Sequence, residues 1–203
     1  MIKIINGSLK IKNNIMLEAV NVTIESGNTY QVTGKNGSGK TLFLNSLLGI
    51  ESKFKGEIRR NIKLSDIVYI TDSQFFLDDE KVKDVLKYIT WLYGESNIEI
   101  DKILRLLEFN ESKDKKINKL SHGTIRKLCI IPLFFEKKLY VLDEMFSGID
   151  SDVRKIIYNR LRAIKSNNAT IIFVEHSKEI ITKIREITDV KEILCQDKII
   201  RNS

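Results

Sequence analysis

The chain has 203 residues, 42% of them hydrophobic, which suits one domain with a substantial core. Its 34 lysines and arginines outnumber 27 acidic residues, giving a net charge of +7, but the two signs are interspersed. This pattern favours a solvated basic surface over a nucleic-acid interface. There is no signal-peptide core and no apolar run of about 18 residues, so we expect a soluble protein that reaches a membrane only through a partner.

The N-terminal 25 residues alternate polar and apolar side chains and are rich in isoleucine and valine. They predict two or three antiparallel strands, with turns at Asn6–Gly7 and Asn13–Asn14. A short β-rich stretch follows at Thr29–Thr33, and Leu42–Gly49 has apolar residues at helical spacing closed by a glycine.

Between that strand and that helix lies a glycine-rich segment with the spacing G-x-x-x-x-G-K-[ST], typical of a phosphate-binding loop. Glycines let consecutive N–H groups point inward as a nest for anions at the start of a helix. Lys40 is predicted to bind the β- and γ-phosphates, and the Thr41 hydroxyl to bind Mg²⁺. The predicted nucleotide-binding residues are Gly34, Lys35, Asn36, Gly37, Ser38, Gly39, Lys40, Thr41 and Leu42.

The middle of the chain changes from strands to helices. Its predicted elements are an edge strand at Gly56–Arg59, a core strand at Asp66–Ile70, and helices at Lys81–Tyr93, at Ile100–Phe109 and from Ser121 to about Phe135. We expect these helices to form an inserted helical subdomain, about residues 75–135, within a single domain of residues 1–203.

The last third alternates buried strands with helices. Its predicted elements are strands at Leu139–Asp143, Thr170–Val174, Val190–Leu194 and Lys198–Ile200, with helices at Ser151–Lys165 and Ser177–Ile184, the first capped by Ser151. This alternation predicts an α/β fold with a parallel sheet covered on both faces.

Functional polar residues follow three of the predicted strands, one near the N-terminus and two in the last third of the chain. Ligands of such sheets bind beyond the carboxyl ends of the strands, where the phosphate-binding loop, the Asp143–Glu144 pair and His176 should converge. Asp143 is predicted to hold Mg²⁺, and Glu144 to orient an attacking water.

The segment Leu120-Ser121-His122-Gly123-Thr124 resembles Leu-Ser-Gly-Gly-Gln, the signature of the ATP-binding cassette (ABC) family. The order of motifs also matches: phosphate-binding loop, helical insertion, signature, acidic strand end, and a segment Ser147–Asp150 that resembles the D-loop. The resemblance implies a P-loop NTPase of the ABC type, with an N-terminal antiparallel β subdomain and an inserted helical subdomain.

The resemblance also implies a function. The chain would bind and hydrolyse ATP with Mg²⁺ and power transport, with export favoured by the short chain, through a separate membrane permease. It would lie in the cytoplasm on the inner face of the cell membrane. A head-to-tail homodimer or heterodimer is implied, in which Ser121, His122 and Gly123 act in trans on the partner's ATP. His176 would be the switch histidine, and Asp150 the D-loop aspartate.

The sequence departs from the family pattern at several positions. The Q-loop glutamine corresponds to Gln74 or to Asp72, and we favour Gln74 because a carboxylate near the phosphates is repulsive. In the family, an N-terminal aromatic residue stacks on adenine. It has no clear counterpart in this chain, where the nearest positions are Leu9 and Ile11. Permease docking is expected beside Gln74–Leu77, although Phe75 or Phe76 could serve the core instead.

Two other functions fit the same motifs. A cassette ATPase acting on nucleic acid or ribosomes is permitted by the positive charge, but a single cassette without coiled-coil insertions makes it unlike such proteins; salt-sensitive nucleic-acid binding would favour it. A degenerate cassette that binds ATP only as a scaffold is suggested by the altered signature, whereas Glu144 and His176 are evidence against it.

Overall fold

The computed structural model of the protein describes residues 2–71 and 76–203. Over these residues the chain forms nine strands and six α-helices. In chain order they are β1 (Ile2–Ile11), β2 (Asn14–Ile24), β3 (Thr29–Thr33), α1 (Lys40–Leu48), β4 (Phe54–Arg60), β5 (Ile67–Ile70), α2 (Val82–Tyr93), α3 (Asn97–Leu106), α4 (His122–Cys129), β6 (Leu139–Asp143), α5 (Ser151–Ser166), β7 (Thr170–Val174), α6 (Lys178–Arg185), β8 (Val190–Gln196) and β9 (Ile199–Asn202).

The strands form one mixed sheet in the order β4-β1-β2-β9-β8-β3-β7-β6-β5. The five strands from β8 to β5 are parallel, as predicted. The predicted antiparallel N-terminal strands extend the same sheet, with β4 at its edge. The last strand, β9, is antiparallel to β8 and parallel to β2, so it joins the two parts. Parallel strands must be joined by long crossovers, usually helices, whereas antiparallel strands can be joined by a short hairpin. The sheet is therefore parallel where helices alternate with strands, and antiparallel where β1 and β2 follow each other directly.

Apolar side chains cover both faces of the parallel strands. In β6, Tyr140 and Leu142 belong to one core cluster, and Leu139 and Val141 to another, because successive side chains in a strand point to opposite faces. The first cluster includes residues of α2 to α6, and the second includes α1 and the N-terminal strands. The predicted two-sided burial of the sheet is therefore confirmed.

The predicted turn at Asn6–Gly7 is wrong. Strand β1 continues through these residues, and its pairing register with β2 shifts between Ile4 and Gly7, which marks a bulge. A Cβ on Gly7 would lie 2.4 Å from Cζ of Phe54, so only glycine lets β4 approach here. The chain reverses at Lys12–Asn13, one residue before the other predicted turn.

Several helix boundaries also differ from the predictions: α3 begins and ends three residues earlier than predicted, and α4 differs most. The helix predicted from Ser121 to Phe135 ends at Cys129 and is followed by a 3₁₀ turn at Ile131–Phe134. Pro132 is the reason, since proline lacks an N–H and clashes with the carbonyl four residues before it.

The first turn of α5 is capped by Asp150, not by the predicted Ser151. Its Oδ1 accepts a hydrogen bond of 2.9 Å from the Val153 amide. The predicted D-loop aspartate is thus also the N-cap of α5.

Helices α2, α3 and α4 lie between β5 and β6 in the chain, close to the predicted positions. Phe76, just before them, belongs to the apolar core at 9% exposure, whereas Leu77 is 71% exposed. Of the two open alternatives for Phe76, the structure favours the core; Phe75 lies outside the described residues. Across residues 2–71 and 76–203, no helix has both the length and the apolar character to cross a membrane.

We expect Gly7→Ala to lower the free energy of unfolding by roughly 1–3 kcal/mol, because the added methyl group has no space beside Phe54. Urea denaturation would measure the change. The adjacent variant Ser8→Ala is the control, with an expected effect within about 0.5 kcal/mol. Equal stability of the two variants would contradict the tight packing at the bulge.

We also expect Cys129 and Cys195 to resist thiol reagents in the folded protein at neutral pH. Both side chains are buried, and burial raises the pKa of each thiol above its ordinary value, so the reactive thiolate is depleted. Colorimetric thiol titration should show reaction only after denaturation. Rapid labelling of either cysteine in the native protein would contradict this burial.

Candidate functional site

The predicted phosphate-binding loop joins the end of β3 to the start of α1. Gly37 and Gly39 have φ angles of 77° and 99°, in the region that favours glycine. Gly34 is equally constrained, because a Cβ there would lie 2.2 Å from the Cys195 carbonyl oxygen. The glycines thus allow a backbone shape that side chains would prevent. Among the other predicted loop residues, Lys35 and Asn36 are exposed and Leu42 is half-buried.

Lys40 folds back over this loop and is only 7% exposed. Its Nζ donates hydrogen bonds of 3.0 Å to the carbonyl oxygens of both Gly34 and Lys35. An ammonium group has three donors, so one N–H remains beyond these two bonds. The position gives the loop a fixed positive charge at the N-terminal end of α1, where anions are also favoured by the helix.

The next residue connects the loop to a distant strand. Thr41 Oγ1 donates a hydrogen bond of 2.7 Å to Oδ2 of Asp143, which ends the buried strand β6. Asp143 is 5% exposed. A hydroxyl and a carboxylate oxygen at this separation are two hard oxygen ligands of the kind that Mg²⁺ prefers.

Glu144 and His176 lie together beyond the ends of neighbouring strands β6 and β7. His176 Nε2 is 3.3 Å from Oε1 of Glu144, and both side chains are a little under half exposed. The Glu144 backbone has a positive φ of 51°, and its amide donates to the Val174 carbonyl over 3.1 Å. This unusual backbone directs the glutamate away from the strand while it stays tied to β7.

The signature-like residues lie at the start of α4 and make different contacts. Ser121 caps the helix, and its Oγ accepts a hydrogen bond of 3.2 Å from the Thr124 amide. A Cβ on Gly148 would lie 2.8 Å from Nδ1 of His122, so the imidazole packs against that glycine. Within the described ranges, no hydrogen bond joins Ser121, His122 or Gly123 to the phosphate-binding loop of the same chain.

Both Q-loop candidates, Asp72 and Gln74, lie outside the described residues. The chain is described up to Thr71, one residue beyond β5, and again from Phe76. The choice between the two candidates stays a prediction.

A cavity of about 930 Å³ lies beside the phosphate-binding loop. Its lining comes from three segments of the chain, namely 13–16, 34–38 and 194–198. Neither sequence candidate for the base contact lines it, and Leu9 is fully buried in the core. The apolar side chains that do line it are those of Ile15 and Met16, together with Leu194 and Cys195.

The donor set fits a nucleotide and Mg²⁺. Ser38 Oγ is the one buried polar side-chain atom, within residues 2–71 and 76–203, that lacks a hydrogen-bond partner, and it belongs to the phosphate-binding loop. Thr41 and Asp143 supply two oxygens, fewer than the six of octahedral Mg²⁺, so phosphates and water would supply the others. The described residues hold no cluster of three or more His, Cys, Asp or Glu suited to a metal ion by itself.

Two residues near these loops escaped the sequence reasoning. Cys195 Sγ donates a hydrogen bond of 2.9 Å to the Ser38 carbonyl oxygen. The apolar residues beside Cys195 in the sequence predict that it is buried, but they do not identify Ser38 as its partner. Arg126 is 2% exposed and donates to three backbone carbonyl groups around the site. The sequence feature that could have identified Arg126 is its spacing of four residues from His122, which places both on the same face of α4.

Comparison with known proteins identifies the family. The family described as ABC transporter matches residues 17–147. An uncharacterised ABC transporter ATP-binding protein of Methanocaldococcus jannaschii is 30% identical, over 97% of this chain and 75% of that protein. The cytochrome c biogenesis ATP-binding export protein CcmA of Reclinomonas americana is 32% identical, over 81% of this chain and 80% of its own. The ATP-binding protein ZnuC of the Bacillus subtilis high-affinity zinc uptake system is 28% identical, over 92% and 84%.

Solved structures agree on the fold. A structure described as an ATP-binding subunit of an ABC transporter superposes with a TM-score of 0.83, at 20% identity, over 98% of this chain and 88% of that one. A putative ABC transporter ATP-binding protein from Pyrococcus furiosus gives a TM-score of 0.68 at 28% identity, over 87% and 92%. With its phosphate-binding loop, acidic strand end and helical insertion in this order, the chain belongs to the ABC transporter family, as an ATP-binding subunit with the P-loop NTPase fold.

Proposed function

We propose that this subunit hydrolyses ATP with Mg²⁺ and powers transport through a separate membrane permease. The observation that carries the proposal is the 2.7 Å hydrogen bond between Thr41 and Asp143, with Glu144 next in the chain. It joins a phosphate-binding loop, a metal-binding oxygen pair and a candidate for orienting water in one place. A carboxylate that orients water is needed for hydrolysis but not for nucleotide binding, so the position of Glu144 favours an ATPase over a scaffold that only binds ATP.

Each group has a role that follows from its position. Lys40 and the loop amides would bind the β- and γ-phosphates, and Thr41 with Asp143 would hold Mg²⁺. Bound there, Mg²⁺ would neutralise phosphate charge and stabilise the leaving oxygen. His176, 3.3 Å from Glu144, would contact the γ-phosphate and sense its loss.

Glu144 would accept a hydrogen bond from the attacking water and align it with the γ-phosphorus. The bond from the water oxygen to phosphorus forms while the bond to the bridging oxygen breaks, and ADP leaves with that oxygen. The proton released by water goes to the inorganic phosphate or to solvent. The fixed charge of Lys40 stabilises the transition state without having to reorganise.

Among the described residues, no hydrogen bond joins the signature residues to the phosphate-binding loop of the same chain, which supports a head-to-tail dimer. Ser121, His122 and Gly123 would complete the nucleotide site of a second copy or of another cassette subunit. Asp150 would lie near that interface as part of the D-loop. We include in the proposal that residues 1–203 form one ATPase domain, with residues about 75–135 as its helical subdomain.

An apolar cleft supports the permease as a partner. A cavity of about 260 Å³ lies between the end of α1, the start of β5 and the end of α2, with Ile50, Leu64 and Leu92 among its lining residues. These three side chains are 60%, 68% and 48% exposed. Such an exposed apolar site suits a helix of a membrane protein, which would hold the subunit on the inner face of the membrane.

The direction of transport stays a prediction. One relative is named for export and another for uptake, so similarity supports both directions.

We expect Lys40→Ala to weaken ATP binding by about 10- to 100-fold, because the one N–H that the loop carbonyls leave free can make a charge-assisted hydrogen bond to phosphate, worth about 1.5–3 kcal/mol. Calorimetric titration with ATP in the presence of Mg²⁺ would measure this. The exposed Lys53→Ala is the matched control, with unchanged affinity. Tight binding by the Lys40 variant would remove this residue from the phosphate site.

We expect Glu144→Gln to bind ATP but to lower turnover by about 100-fold or more, since the amide cannot orient water as a carboxylate does. Its solution mass should double when ATP and Mg²⁺ are added, because unhydrolysed ATP holds two copies together. The measurements are steady-state phosphate release and light scattering.

Glu175→Gln is the control for this second experiment. Its carboxylate accepts hydrogen bonds from the amides of His176 and Ser177, and an amide oxygen can still accept them. We expect near-normal turnover. Near-normal turnover of the Glu144 variant itself would exclude the catalytic role, and a persistent monomer would argue that a different cassette or the permease completes the site.

A further inference from the structure

Arg126 is a buried cation that no motif of the site accounts for. It lies in the second turn of α4 and is 2% exposed. Its Nε donates to the Ser147 carbonyl over 3.0 Å, and Nη2 donates to the Met145 carbonyl over 2.9 Å. Its Nη1 donates to the Thr71 carbonyl over 3.0 Å. One guanidinium group therefore holds two separate backbone segments against α4.

Both segments are next to groups of the nucleotide site. Met145 follows Glu144 directly, Ser147 lies two residues further along, and Thr71 is the last residue described before 72–75. Burying a guanidinium group is unfavourable unless its donors make hydrogen bonds. Loss of these carbonyl partners would therefore strongly lower the free energy of unfolding. Its planar fork of donors can bind several carbonyl groups at once in a fixed geometry, which a lysine ammonium cannot do.

A second contact joins the same helix face to the same loop. His122 lies one turn before Arg126, and its imidazole packs on Gly148, whose φ is 68°. A Cβ on that glycine would lie 2.8 Å from the His122 Nδ1 and 3.5 Å from Cγ of Arg126. The face of α4 formed by residues 122 and 126 thus packs along the segment 145–148.

We propose that Arg126 is a positioning residue that fixes the Glu144-bearing segment to the signature helix α4. The inference rests on the proposed function for Glu144 and extends it. The position of the Glu144 carboxylate depends on the backbone that carries it. That backbone is fixed by two hydrogen bonds, one from the Glu144 amide to the Val174 carbonyl and one from Arg126 to the Met145 carbonyl. A partner's nucleotide that contacts Ser121 and His122 would then be coupled to Glu144 through the contacts that His122 and Arg126 make with the segment 145–148.

The decisive variant is Arg126→Met, which keeps an apolar stem and removes every donor. We expect kcat for ATP to fall about 10- to 100-fold, as for other misplaced catalytic groups, while KM changes by less than about twofold. The phosphate-binding loop and Lys40 keep their own contacts, so binding of ATP is preserved. Arg126→Lys should recover part of kcat, since one ammonium can reach some but not all of the three carbonyls.

Arg160→Met is the matched control. Arg160 also donates to backbone carbonyls in the core, from Nε to Leu133 and from Nη2 to Phe135, each over 2.8 Å. None of its hydrogen bonds or ion pairs reaches the segment 145–148. We expect a comparable loss of thermal stability with unchanged kcat, so a general loss of stability is separated from a loss of positioning.

Amide hydrogen exchange provides a readout that needs no turnover. The Ser147 and Ile149 amides donate to the carbonyls of Glu144 and Phe146. In Arg126→Met these two amides should exchange at least about tenfold faster, and in Arg160→Met they should keep the wild-type rate.

If the wild-type chain did not hydrolyse ATP, the proposed function would fail, while exchange at 147 and 149 would still decide the role of Arg126. The inference is overturned if Arg126→Met leaves both kcat and this exchange unchanged. It is also overturned if the variant loses only thermal stability, as Arg160→Met does.

Discussion

The contact on which the site depends is the hydrogen bond from Thr41 to Asp143. It joins the first turn of α1 to the end of β6, although β7 lies between β3 and β6 in the sheet. The loops that follow these strands must therefore meet above the end of β7, where His176 also lies. Parallel strands with buried, uniformly apolar faces place all their carboxyl ends on one edge, and this is the constraint that gathers Lys40, Asp143 and Glu144.

Local patterns in the sequence predicted most of this arrangement. The glycine spacing predicted the phosphate-binding loop, and five-residue apolar runs predicted β6 and β7 with their polar ends. Helix α2 was predicted within one residue from its apolar periodicity. These features depend on near neighbours in the chain, so a pattern of a few residues carries enough information to predict them.

The features that depend on distant contacts could not be predicted in the same way. Asn6–Gly7 has the composition of a turn, but pairing with β2 and β4 keeps it inside β1 as a bulge. Asp150 and Ser151 are both suitable N-cap residues by type. Asp150 is the cap because its backbone is extended and the helix begins at the next residue. The reach of Arg126 to Thr71 spans 55 residues, and no local pattern encodes which carbonyls a buried arginine will bind. The roles of the site residues themselves stay predictions.

The position of β8 and β9 has a consequence for synthesis on the ribosome. These strands are translated after every other strand described, yet they lie between β2 and β3 in the middle of the sheet. Until they emerge, β2 and β3 each have one unpaired backbone edge, open to pairing with another chain. Residues 194–198 also close one side of the cavity beside the phosphate-binding loop. A nascent chain thus completes the cavity beside the phosphate-binding loop only after β8 and β9 have been made.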